Sequence, residues 1–478
     1  MRCTLVMPKQ LSEKLFRHLF PGDNDEHGAI IAAGIVKTPA GLRLLARDVF
    51  LAKDGVDYVP GKRGYRMLRA EFITDKLLYC RDEKLCYFAV HNHGGTDCVW
   101  FSDDDLNSHE RGYPALLDIM QGLPVGALVF ARNAVAGDIW LSRDHRIKLT
   151  DARIVGTCIE RLYPTPPPTP PQAQRSYNRQ VRLFGDAGQH RLATLKVGVI
   201  GAGGVGSLLT EYLSRLGVGH IINVDPDKVD LTNLPRIVGA SRWDAMSWLV
   251  TSSIPWVQQL GWRLATKKVN VARRVAKVAN PKVKFSPIFG DITDNEIAEQ
   301  FTDCDFLFLA ADTMQARLVF NAIVHQYLIP GVQIGTKVRH DENTGEVIDV
   351  YSVARPVTPD SGCLLCNELI SSSKLQVEAA NPEERAGQNY VNDPDVVAPS
   401  VITLNATVAS QAVNDFLFAV LGLTLPGAFG GYMKLLPGRR DVEFQDPRAS
   451  ASCLVCGSSP SSCRSRGGTH ALPVRPRR

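Results

Sequence analysis

The 478-residue chain is poor in cysteine, with 11, and in aromatic residues, at 8%. So few cysteines cannot staple a disulfide scaffold, and in a reducing compartment closely spaced pairs point to metal instead. No stretch reaches the roughly 18–20 uninterrupted apolar residues that a bilayer span needs. The start, MRCTLVMPKQLSEKLF, also lacks the long apolar segment of a signal peptide. A cytoplasmic protein without a membrane partner is expected. Charge of one sign is scarce too. The net charge is +5, but residues 457–478 hold five Arg and no acid, which leaves 49 basic and 49 acidic residues in the body. No nucleic-acid partner is expected, since that would need basic residues clustered on a folded face. Hydrophobic residues make up 45% and charged residues 22%, ordinary globular proportions.

Prolines are concentrated at one place. PTPPPTPPQAQ, from Pro164 to Gln174, has six prolines in eight positions, which enforce extended polyproline and cannot pack inside a helix or sheet. The reading is a mixed α/β domain over residues 1–160, a linker over 161–175, a second α/β domain over 176–456, and a disordered basic tail over 457–478. In the second domain, Lys196–Ile200 reads as a buried strand, Gly201–Gly206 as a turn, Ser207–Leu216 as a helix and His220–Val224 as the next strand, a βαβ unit. Further strands are expected at Phe306–Ala310 and Gly331–Ile334, a hairpin around Asn343–Gly345, and a core helix from Ser400 to about Leu421.

The turn Gly201-Ala-Gly203-Gly204-Val-Gly206 lets the backbone approach a phosphate at a helix N-terminus, and Asp225 at the end of the next strand suits a ribose diol. Those features alone also fit a nicotinamide dehydrogenase. The chain continues, however, with Asp227, Asn233, Arg236, Lys268 and Asp312, followed by Arg317 and Asn321. Arg236 and Lys268 could neutralise a triphosphate, Asn233 could hydrogen-bond to it, and Asp312 could hold magnesium. Together they describe ATP chemistry. The order and identities resemble the ThiF/MoeB and ubiquitin-activating superfamily over roughly residues 175–457. That family is a Rossmann-like fold whose members adenylate the C-terminal carboxylate of a ubiquitin-like protein. The entry segment Ser176-Tyr-Asn178-Arg179-Gln180-Val-Arg182-Leu-Phe-Gly185 looks like the family's N-terminal segment. The resemblance therefore implies a homodimer in which Arg179 reaches the partner's ATP.

Cys363-Leu-Leu-Cys366 and Cys453-Leu-Val-Cys456 have the spacing at which two thiolates grip tetrahedral zinc from a tight turn. Four ligands leave no open position, so this zinc is read as structural, and the superfamily has such a zinc in matching places. Many superfamily members carry a catalytic Cys after the first pair, but residues 367–452 contain none. Direct handover of the adenylate to a conjugating enzyme or a sulfurtransferase is the simpler expectation. The segment between Arg236 and Lys268 is longer than the family needs and holds Trp243, Trp248, Trp256 and Trp262. It reads as an inserted helix with its Trp side chains packed inward.

Upstream, His91-Asn-His93 puts two imidazoles on one strand face, and Ser102-Asp-Asp-Asp105 adds a carboxylate. Three ligands leave a fourth zinc position for water, and Glu26 could be its base. The pattern resembles the JAB/MPN (JAMM) metalloproteases, which remove ubiquitin-like modifiers, with Ser102 as the oxyanion partner. Spacing leaves Asp104 or Asp105 as the third ligand, and Asp105 completes the family's Ser-x-x-Asp. His27 has no assigned role. The combined expectation is a bifunctional enzyme, similar to ubiquitin-like systems of bacteria, that activates a ubiquitin-like protein with ATP and Mg²⁺ and processes or deconjugates it with Zn²⁺. Adenylation for sulfur-carrier thiocarboxylation is the alternative, and a non-catalytic modifier-binding scaffold is the alternative from another class.

Overall fold

The short apolar runs of the first 160 residues become the strands of one mixed sheet. A computed structural model describes residues 2–23, 25–60, 66–341, 344, 346–379, 400–425 and 430–475. It separates into two units. One comprises Met1–Thr169, His325–Leu328 and Ala451–Ala471, and the other Pro170–Val324, Ile329–Ser450 and Leu472–Arg478.

The first unit has strands β1 Cys3–Pro8, β2 Gly28–Thr38, β3 Gly41–Leu51, β4 Cys86–Asn92, β5 Val125–Phe130, β6 Val135–Ser142, β7 His145–Lys148, β8 Asp151–Val155 and β9 Ile159–Leu162. Their order is β7-β6-β5-β4-β2-β3-β1-β8-β9. Successive side chains leave a strand on opposite faces. Accordingly Ile31 and Phe88 join Leu15 and Leu19 of helix Lys9–Leu19 in one core. Their neighbours Ile30 and Tyr87 join Leu77 and Leu117, from helices Ala70–Asp82 and Asp103–Ile119, in another.

The second unit has β10 Lys196–Ile200, β11 His220–Asp225, β12 Lys284–Phe289, β13 Phe306–Leu309, β14 Gly331–His340, β15 Val347–Val357, β16 Tyr432–Leu436 and β17 Asp441–Gln445. The order is β12-β11-β10-β13-β14-β15-β16-β17, parallel through β14 and antiparallel beyond. Connections run in opposite directions from β10, to β11 on one side and towards β13 on the other. That makes the carboxyl ends of β10 and β13 a switch point, where open α/β sheets form a crevice. The expected βαβ unit is present, with its helix, Gly204–Leu216, starting inside the glycine turn. The helix expected from Ser400 is Ile402–Leu421. Asn343 and Gly345 of the expected hairpin lie outside the described residues, although β14 and β15 pair antiparallel around them.

Three expectations need correction. Strand β9 pairs antiparallel with β8, so ordered structure continues past residue 160 into the span read as linker. The tail is not disordered over its described length. Its glycines and serines bond through their backbones: Ser465 N donates to His325 O at 2.9 Å and Gly467 N to Gln326 O at 3.0 Å. Buried Arg466 pairs with Glu83 at 2.5 Å. Gly34 is where the chain makes room for this tail, because a Cβ there would lie 1.9 Å from Ser465 O. Finally, the four Trp of the 243–262 segment point outward; the residues buried beneath them are Ala245, Val250, Gly261 and Ala265.

On helix Ile402–Leu421, burial pushes the Asp415 carboxyl up to about 6, opposed by a hydrogen bond from Gln411 Nε2 at 2.8 Å. A carboxyl raised above its unfolded value of about 3.9 favours the fold below that pH and loses the contribution as pH rises through its folded value. Asp415→Asn keeps an acceptor for Gln411. It should raise stability by about 1–2 kcal/mol near pH 7.5, allowing for partial solvent screening, with the gain shrinking towards pH 4 in denaturant titrations.

Candidate functional site

At the switch point the backbone turns sharply after β10. Gly201 has φ +102° and its amide donates to Val224 O at 2.8 Å. A Cβ on Gly206 would lie 2.0 Å from Gly201 O, so the first helical turn can pack onto the strand only with glycine there. Helix Gly204–Leu216 therefore presents its unpaired first N–H groups at the crevice, a natural site for anionic oxygen. Gly201, Gly203 and Gly204 line a cavity of about 530 Å³, while Gly206 stands behind the turn.

Asp225 ends β11 and lines the same cavity. Its Oδ2 accepts from Ala202 N at 2.7 Å and its Oδ1 from Asp227 N at 2.9 Å. Burial pushes its carboxyl up, against the pull of Lys268 and these amides. Lys268 opens helix Lys268–Ala279, and its Nζ rests on Asp227 Oδ2 at 2.7 Å. Asn233 ends a short turn in which Asp230 and Asn233 cap each other. Arg236 follows, its amide bonded to Asn233 O at 3.0 Å. From the other side of the switch point, Asp312 enters after β13. Asp227, Asn233, Arg236, Lys268 and Asp312 all line the cavity. Arg179 does not; it is exposed on the segment before helix Val181–Thr194.

The cavity has further walls that the sequence reading did not assign. Thr336 and Ser400 hold Asn405 between them, with Thr336 Oγ1 3.3 Å from Asn405 Oδ1 and Asn405 Nδ2 3.1 Å from Ser400 Oγ. Asn405 is 1% exposed and packs so close to the glycine turn that a Cβ on Gly204 would meet its Nδ2 at 2.5 Å. An amide on the buried face of a largely apolar helix was the available signal. Arg317 also lines the cavity, donating to Leu369 O at 2.9 Å while its buried Nε has no partner among the described residues. An orphan cationic donor beside a carboxylate, a lysine and a helix N-terminus fits a bound polyphosphate.

The first unit gathers a second cluster. His91 is the next-to-last residue of β4, His93 follows the strand, and Asp105 lies in the first turn of helix Asp103–Ile119. Their ligand atoms all fall within 4.8 Å of one another. His91 Nε2 and His93 Nε2 face each other at 3.1 Å, and Trp100 O, 3.1 Å from His93 Nδ1, orients that ring. The carboxylate at the imidazoles is Asp105, not Asp104. Glu26 Oε1 stands 3.7 Å from His93 Nε2, and burial pushes its carboxyl up. Against the upward push of burial, hydrogen bonds from His91 and Ser102 hold Asp105 well below the usual carboxylate range. Ser102 is the helix N-cap, with its Oγ 2.7 Å from Asp105 Oδ2. His27, unassigned from sequence, ties this corner down: its amide donates to Asn92 Oδ1 at 2.6 Å and its ring meets Asp23 at 2.9 Å. Two facing imidazole nitrogens with an ionised carboxylate form a donor set that suits zinc.

Two cysteine pairs, Cys363–Cys366 in the second unit and Cys453–Cys456 in the first, are the other candidate metal ligands among the described residues. Each pair sits in a tight turn with an amide aimed at its first sulfur: Cys366 N to Cys363 Sγ, and Val455 N to Cys453 Sγ, both at 3.4 Å. Asn367 bonds both backbone groups of Arg448, at 2.8 and 3.0 Å, which tethers the chain five residues before Cys453.

The family model described as ThiF matches residues 177–455. The chain is 26% identical over 285 residues to a SAMP-activating enzyme from Haloferax volcanii, covering 59% of this chain and 88% of that protein. It is 29% identical over 289 residues to the molybdopterin-synthase adenylyltransferase of Escherichia coli, covering 60% and 97%. A ubiquitin-like modifier-activating enzyme from Gallus gallus is 23% identical over 254 residues, and the chain spans only 54% of its length. Because the family match runs through the whole span that builds the cavity and takes in more than half of the sequence, this chain belongs to the ThiF family.

Proposed function

We propose that the second unit adenylates the C-terminal carboxylate of a ubiquitin-like or sulfur-carrier protein with ATP. The observation that carries this is the convergence of Arg236, Lys268, Asp312 and the glycine turn on one cavity at the switch point. A carboxylate is a poor electrophile because its leaving group would be oxide. When a carboxylate oxygen attacks the α-phosphorus of ATP, the bond from that phosphorus to the bridging oxygen breaks, pyrophosphate leaves, and the acyl group gains AMP as leaving group. The charge that develops needs cations already in place. In this reading Arg236 and Lys268 hold the phosphates, Asn233 donates to them, and the glycine turn and Asp225 seat the nucleoside. Asp312 would hold magnesium, which when bound neutralises phosphate charge. Arg179, exposed and away from the cavity of its own chain, suits a role at the ATP of a second copy.

Two routes lead on from the adenylate. Residues 367–452 hold no cysteine to take a thioester, and a relative named for molybdopterin synthase aligns over 97% of its length. These two observations favour thiocarboxylation of a sulfur carrier as the second reading, beside transfer to a conjugating enzyme.

For the first unit we propose hydrolytic release or trimming of the same protein, supported by the His91, His93, Asp105 and Glu26 cluster. These three ligands would hold a zinc ion, which when bound acidifies water and polarises a carbonyl. Glu26, with its carboxyl raised by burial, is placed to accept the proton of the attacking water. Ser102 Oγ can turn from Asp105 to donate to a developing oxyanion. The C-x-x-C spacing of Cys363–Cys366 and of Cys453–Cys456, each turn with an amide facing its first sulfur, supports the proposal of a structural zinc.

Asp312→Ala should abolish ATP–pyrophosphate exchange driven by a protein ending in Gly-Gly yet spare peptide cleavage, whereas Glu26→Ala should do the reverse. A single substitution that removes both activities would sink the two-site reading. Metal analysis provides a separate check. The full chain should carry two zinc ions, Cys363→Ser with Cys366→Ser should lose one together with several degrees of Tm, and His91→Ala with His93→Ala should lose the other with little change in Tm.

A further inference from the structure

Between the cavity residues Arg236 and Lys268 the chain makes a strap of unusual character. Its helix Pro255–Leu264 and the turn before it leave Trp243 72%, Trp248 46%, Trp256 67% and Trp262 54% exposed. Leu260 and Leu264 are exposed beside them. The small core beneath, formed by Val229, Ile237, Ala245 and Val271, admits none of the four indoles. Large aromatics outside and small residues inside invert the usual arrangement, and an exposed apolar patch of this kind marks an interaction surface.

Charge says what the patch fits. Between Arg236 and Lys268 the strap carries Arg242, Arg263 and Lys267 against one acid, Asp244, and that acid is taken by Arg274 at 2.8 Å. Arg242 and Arg263, each next to an exposed Trp, are exposed themselves. The strap is also held to the cavity wall: Val229 N bonds Thr266 O at 2.8 Å, and Lys268 N bonds Asp227 O at 3.0 Å.

We propose that this strap docks the protein whose carboxylate is adenylated, through an apolar patch on that protein ringed by acidic residues. This rests on the adenylation reading above. A second copy of the chain is a poor occupant, because a two-fold contact would set cations against the same cations. Aromatic anchors in the centre and complementary charge at the rim would hold the body of the substrate while its tail enters the cavity next to the strap.

The test uses the full chain, with acidic ubiquitin-like proteins ending in Gly-Gly as probes. Two variants alter only exposed residues: Trp256→Ser with Trp262→Ser, and Arg242→Glu with Arg263→Glu. Each should raise KM for the probe in pyrophosphate exchange by at least about tenfold, leaving kcat and KM for ATP unchanged. Wild-type KM should also rise with salt. Titration of intrinsic Trp fluorescence with the same probes needs no chemistry and should show binding that both variants weaken. A wild type that binds a probe but exchanges with none defeats the adenylation reading and leaves the docking proposal standing. Exchange at unchanged KM in the variants overturns the docking proposal, as does absence of any titration. A dimer that the Trp variant converts to monomer, or strap-dependent binding to phosphatidylserine vesicles, overturns it in favour of those occupants.

Discussion

One close approach underlies the candidate adenylation site: the carbonyl of Gly201 against the backbone of Gly206. With no side chain at either residue, the chain reverses within six residues and lays a helix start across the end of a parallel strand. That reversal aims the N–H groups of the helix into the crevice and sets Ala202 N on Asp225. Asp225 in turn receives Asp227 N, which places the residue that meets Lys268. A side chain at residue 206 would push the helix off the strand and disturb each later link, so the geometry of the phosphate-binding groups begins as a backbone constraint.

The parts of the molecule that were legible in the sequence are those whose physics is local. A glycine turn between an apolar strand and a helix, an acid ending the next strand, and cysteine pairs with two residues between them each declare themselves within about 25 positions. The cavity walls contributed by Thr336, Ser400 and Asn405 did not, because their meeting depends on a helix returning to the sheet some 200 residues after the turn it covers. Asn405 was visible only as one of three amides, with Gln411 and Asn414, in a largely apolar helix, a weak signal without the fold around it.

Two misreadings share a cause: composition was taken as location. Four tryptophans suggested a core, yet Ala245, Val250, Gly261 and Ala265 fill the inside of that strap and the indoles face solvent. A tail rich in Ser, Gly and Arg suggested a chain with nothing to bury, yet Ser462, Ser465 and Arg466 are buried. Apolar area is one way of ordering a segment. Backbone amides meeting carbonyls of a preformed unit are another, and hydropathy does not register it.

Lys268 adds a further property to the cavity proposed for the nucleotide. Both its backbone N and its Nζ are engaged by Asp227, so the lysine offered to a phosphate already has a carboxylate partner. On the adenylation proposal, nucleotide entry would be an exchange of anions at one cation, freeing the Asp227 carboxylate. The gain is a difference between two ion pairs rather than the full attraction of a bare charge, and a lone phosphate or a short anion has little with which to outbid the resident one. A chain of phosphates that also engages Arg236 and the helix start does. On that proposal the resident ion pair would make the cavity discriminate by the number of contacts a ligand makes at once, a selectivity set in advance of any ligand by an acid and a base that hold each other.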